Sequence, residues 1–80
     1  GMELEVRGQH VEEALPRLEE YLQSAFLAGL PFVRIIHGKG TGTLRRVVRD
    51  ALANSPFVSD IESGDPRNGG DGVTIAKLAV

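Results

Sequence analysis

Two amphipathic helical stripes, each flanked by short extended runs, constrain this chain more than any other feature. Val11, Ala14, Leu15, Leu18, Leu22, Ala25 and Phe26 recur at helical spacing, which predicts a helix from about Val11 to Ala28 with Glu12, Glu13, Glu19 and Glu20 on its wet side. Leu44, Val47, Val48, Ala51 and Leu52 give a second stripe, ended by Asn54-Ser55-Pro56. Before the first stripe, Leu4 and Val6 alternate within Glu3 to Arg7, the pattern of a half-buried strand. Phe32 to His37 is a near-continuous apolar run with Val33, Ile35 and Ile36, as in a more buried strand. Phe57 to about Glu62 and Val73 to Val80 read as the remaining strands. The order is strand, helix, strand, helix, strand, strand. Right-handed crossovers make the first three strands parallel and put both helices on one face, and the last strand returns antiparallel. The fold class is an α/β, or α+β, two-layer sandwich.

With 80 residues, the chain has room for one domain and one thin core. It has no cysteine, so disulfides, thiolate metal sites and a thiol nucleophile are all excluded, and the composition is compatible with the cytosol. No apolar run reaches the ~18 residues of a membrane span, and no signal peptide is read at the start. Gly1 before Met2 is read as a cloning remnant. Gly29 is expected to cap the first helix and Thr41 or Thr43 to cap the second. Pro16, inside the first helical pattern, predicts a kink or a loose first turn.

Formal net charge is -2, but the charge is segregated. Arg34, Lys39, Arg45, Arg46 and Arg49 lie between Pro31 and Arg49 with no acid among them, while the rest of the chain is acidic. A cationic patch on an acidic body suits a polyanion bound at one place, and the alternative is a merely solvated helix face. Parallel strands put their carboxyl ends along one edge, where ligands bind in open α/β sheets. Topology brings Arg7 to His10, His37 to Thr43 and Gly64 to Asp71 to that edge. At its centre is Gly38-Lys39-Gly40-Thr41-Gly42, which opens the second helix. Glycines permit close backbone approach, helix-start N–H groups attract phosphate, and Lys39 adds a charge. The spacing matches neither a Walker P-loop nor the dinucleotide fingerprint, and a tight structural turn is the alternative. Strand parity places Glu5, Arg7 and Arg34 on the open face of the sheet. There they form either a surface ion-pair ladder or a polar platform on which Glu5 holds hydrated Mg²⁺.

These residues resemble the small MutS-related, or Smr, domain over nearly the whole chain. The family's opening LDLHG motif stands as Leu4-Glu5-Val6-Arg7-Gly8, and its HGKGxG motif as His37-Gly38-Lys39-Gly40-Thr41-Gly42. Glu13-Ala14, Leu44-Arg45 and Gly69-Gly70-Asp71-Gly72 are also similar to the family. Arg7 at the fourth position of the opening motif is similar to the version that closes the second class of bacterial MutS-type proteins. The resemblance implies a fold like the C-terminal domain of bacterial translation initiation factor three, with sheet order 1-2-4-3. It also implies a cytoplasmic, nucleic-acid-binding domain of a larger MutS-type ATPase chain, homodimeric through other domains, and, for some members, metal-assisted endonuclease activity. Glu5 replaces the family Asp and Arg7 the family His. Arg7 cannot act as a base at neutral pH but can hold phosphate bidentately.

Three functions follow as expectations. In an endonuclease of DNA or RNA, His37 transfers a proton, with His10 as the weaker candidate. Lys39 and the loop amides from His37 to Gly42 stabilise the phosphate, and Arg7 orients it. Glu5 is the one candidate metal ligand, for Mg²⁺. In a binding module for branched DNA, structured RNA or a ribosomal surface, the same loop with Arg34, Arg45, Arg46 and Arg49 suffices without a base. A small phosphorylated ligand ranks last, because Phe26, Phe32, Phe57 and Tyr21 all fit core or helix positions.

Overall fold

The computed structural model describes residues 2–80, so the reading of Gly1 lies outside the described residues. The chain forms β1 (Glu3–Glu5), α1 (Val11–Leu27), β2 (Phe32–Ile36), α2 (Thr43–Ala53), β3 (Val58–Ser63) and β4 (Val73–Leu78). Two single 3-10 turns, Pro66–Asn68 and Gly70–Gly72, occupy the β3–β4 connection. The sheet order is β1-β2-β4-β3, with β1 parallel to β2 and β4 antiparallel to both its neighbours.

Parity decides the layers. Leu4, Val6, Val33, Ile35, Ala76 and Leu78 point inward and are buried against Ala14, Leu18, Leu22 and Ala25 of α1 and Val48 and Leu52 of α2. Phe26 and Phe57 close one end of this core, their ring centroids 4.9 Å apart. Outward-facing Glu3 pairs in register with Arg34 and joins it in an ion pair.

Helix α1 runs unbroken through Pro16, and its first turn is closed by Glu13 and Ala14 N–H groups donating to the His10 carbonyl at 3.0 and 2.9 Å. Its end is a Schellman turn. Gly29, at φ +74°, donates to Phe26 O and Leu30 donates to Ala25 O. The expected threonine cap on α2 is corrected: Gly42 is the N-cap, at φ 86°. The loop closes into the helix through a left-handed residue, which glycine supplies without Cβ strain. Thr43 becomes the first helical residue, and its N–H lies 3.4 Å from Thr41 Oγ1. The strands are shorter than expected at the functional edge. Arg7 and His37 both leave the ladder and belong to the loops.

Candidate nucleic-acid interface

The three loops expected at one edge meet there. Gly72 O accepts from both His37 N–H (3.1 Å) and Gly38 N–H (2.9 Å), tying the β3–β4 connection to the glycine loop. On its other side the loop lies against Arg7. Gly38 adopts φ +76°, and a Cβ there would come 3.1 Å from Arg7 Cγ. Gly38 is thus favoured by its backbone angle, and a side chain there would also push against the arginine stem laid over it.

His37 fixes the loop from within. The residue is 4% exposed, and both ring nitrogens are used: Nδ1 lies 2.8 Å from Gly38 O and Nε2 2.8 Å from Thr74 Oγ1. A carbonyl can only accept, so Nδ1 carries the proton and the Thr74 hydroxyl donates to Nε2. Burial pushes the His37 pKa below its ordinary value, the Gly38 carbonyl partly opposes this, and the Arg49 and Arg45 charges add to the lowering. This enclosed imidazole ties the glycine loop to β4, and His37 also lines the cleft between that loop and Gly8–Val11. Thr74, fully buried on β4, is its partner and was missed from sequence. The signal available was its inward parity on a strand.

The six basic residues expected at the site separate into two groups. Arg7 donates to Glu5 through Nε at 2.6 Å, and Arg34 is engaged by Glu3 and by Asn68 O at 2.8 Å. Those pairs form the surface ladder on the open sheet face, so Arg34 is not brought together with the loop cations. The side chains of Lys39, Arg45 and Arg46 have no carboxylate or other hydrogen-bond partner among the described residues, and the Arg49 side chain reaches only Ser63 Oγ at 3.3 Å. Arg45, Arg46 and Arg49 line an open groove with Thr41, Gly42, Thr43 and Asp50. A neighbouring cleft of about 360 Å³ lies between Gly8–Val11 and the segment from His37 to Arg45. The N–H groups of Lys39, Gly40, Thr41, Leu44 and Arg45 have no acceptor among the described residues. Unpaired cations and free donors therefore converge on one edge, the setting in which a phosphate is bound. The hollow at the far end of the helix layer offers Glu19 and Glu20 instead and repels such a ligand.

Gln9 was also missed. It lines the cleft, and its Oε1 is buried without a hydrogen-bond partner, which costs about 1–3 kcal/mol. No sequence signal separates such a glutamine from any polar turn residue. Among the described residues no group of three His, Cys, Asp or Glu side chains could ligate a metal, and Glu5 is committed to Arg7.

The Smr domain family model matches residues 4–79. The chain belongs to the Smr domain family. Two relatives named endonuclease MutS2 share this Smr domain closely. That of Thermomicrobium roseum is 53% identical over 78 residues, and that of Symbiobacterium thermophilum is 55% identical over 76. The matches cover 98% and 95% of this chain but 10% of each relative, so the chain spans about a tenth of the length of the curated relatives it matches. The crystal structure of the Smr domain of Thermus thermophilus MutS2 superposes with TM-score 0.95 at 39% identity, covering 100% of both chains. YdaL, a stand-alone small MutS-related protein from Escherichia coli, superposes with TM-score 0.83 at 30% identity, over 96% of this chain and 63% of that one. The expected sheet order is that of the family fold. No helix among the described residues is long and apolar enough to cross a membrane.

Proposed function

We propose that this Smr domain grips the sugar–phosphate backbone of DNA or RNA at the His37–Gly42 loop and the Arg45, Arg46 and Arg49 face of α2. The convergence of unpaired cations and free N–H donors on one sheet edge carries this reading. Lys39 and the loop amides meet one phosphate, and the arginines follow the strand. Arg7, held by Glu5 and laid over Gly38, orients the phosphate from the other side. The relatives are named endonucleases, and we extend strand cutting to the longer protein of which such a domain forms a part. In that reaction Lys39, the loop amides and Arg7 stabilise the charged phosphate in the transition state. His37 holds the loop in shape. A ribosomal RNA surface would satisfy the same contacts.

A nicking assay tests this. Supercoiled plasmid and single-stranded RNA are incubated with the purified domain, with Mg²⁺ or EDTA, beside identically purified Lys39→Ala. Cutting by the wild type and not by Lys39→Ala supports the endonuclease. Equal cutting by both points to contamination. Salt-sensitive binding without cutting leaves a binding module.

A further inference from the structure

The cleft beside the glycine loop holds more than a phosphate needs. Phosphate contacts require donors and positive charge, which Lys39 and the loop amides supply at its rim. Its other wall is the turn leading into α1, and there the chain places Gln9, whose buried Oε1 has no donor, next to the exposed imidazole of His10. Val11 and Leu44 give the cleft an apolar component. A volume of about 360 Å³ is at the small end for ligand sites. It suits a single planar group rather than a double helix.

We propose that this cleft takes one unpaired nucleobase, with Gln9 as the residue that reads it. The proposal rests on the loop's holding the adjacent phosphate. A carboxamide offers a donor and an acceptor side by side, the pattern that pairs with a base edge. In the resting domain the Gln9 oxygen has no hydrogen bond to lose. Turning the amide into the cleft therefore exchanges an unsatisfied acceptor for a satisfied one. His10 supplies a flat ring for the base to lie against. A base inside a duplex has its pairing edge occupied and cannot enter a concave site without leaving the stack. Duplex nucleic acid thus reaches only the rim cations, while a single strand, gap or flap reaches the cleft as well.

The test compares a labelled single-stranded DNA oligonucleotide, the same sequence as RNA, and its blunt DNA duplex, by fluorescence anisotropy at one fixed salt. The domain should prefer at least one single strand to the duplex. Gln9→Leu should weaken single-strand binding about five- to tenfold, leave duplex binding unchanged, and leave the melting temperature no lower, because it removes an unsatisfied buried polar atom. In a second measurement, NMR titration with a nucleoside monophosphate should shift the Gln9 side-chain amide resonances. Equal affinity for all three probes, wild-type single-strand affinity in Gln9→Leu, or unmoved Gln9 amide resonances would overturn the proposal. Failure of the underlying phosphate reading looks different, because Lys39→Ala would then bind every probe like the wild type.

Discussion

His37 has the intrinsic chemistry of a general base, and in the ligand-free domain both of its ring nitrogens are engaged. Its two ring bonds join the loop backbone to Thr74 on β4. His37→Ala should therefore lower unfolding free energy by about 2–3 kcal/mol in chemical denaturation and weaken nucleic-acid binding together with stability, since it leaves buried groups unpaired. The pH dependence follows from the lowered pKa. The folded state binds the proton less readily than the unfolded chain. The stabilisation is therefore complete above the unfolded pKa of ~6.5 and is lost as pH falls toward the folded value. Denaturation from about pH 7.5 down to about pH 5.5 should show this decline, and a His37→Gln variant should show a flatter profile. At Gly38, substitution by Ala forces a side chain into φ +76° and against Arg7. It should cost about 1–2 kcal/mol and displace the arginine. His37 was legible as the junction residue, last of the expected strand and first of the glycine motif. Its burial was not, because burial depends on which β4 residue lies across the sheet, a non-local fact.

At the scale of elements, α2 and the loop before it form one working part. Gly42 turns the chain into the helix, Val48 and Leu52 anchor the helix in the core, and Arg45, Arg46 and Arg49 face the groove. Arg45 and Arg49 are i,i+4 neighbours that repel in the free domain by a few tenths of a kcal/mol, which a bound phosphate relieves. Arg46→Ala should reduce affinity for every sequence alike and lower the salt slope of binding by about one unit, whereas Arg34→Ala should change binding little. The two arginines differ because Arg34 is taken up by Glu3 and Asn68. The elements were legible from hydrophobic period alone, since each stripe has to bury one face. Their ends were not. Arg7 and His37 continue the apolar alternation but leave the ladder to build loops, and the Thr41 side chain competes with a glycine whose left-handed angle wins the cap.

For the whole molecule, the division of labour is between two faces and one edge. Helices cover one face of the sheet, and carboxylate–arginine pairs occupy part of the other. Lys39, Arg45, Arg46 and Arg49, which have no carboxylate partner among the described residues, gather at the edge, while Arg17, Arg67 and Lys77 also lack one. Net charge alone would have placed this domain away from polyanions. Its partition by strand parity and topology makes one edge cationic on an acidic body. Among the described residues no group of three acidic or histidine side chains is placed to hold a metal, and Glu5 is paired with Arg7, so EDTA should leave affinity for nucleic acid unchanged, as a binding titration with and without the chelator would show. Phosphate binding by the loop and α2 can be measured as affinity for one DNA oligonucleotide across a salt series, for wild type and for a Lys39→Ala, Arg45→Ala, Arg46→Ala variant. Affinity should fall steeply with salt in the wild type, with a slope shallower by about three units in the variant, which should keep its fold. Affinity that ignores salt, or a variant that binds like the wild type, would contradict phosphate binding at this edge.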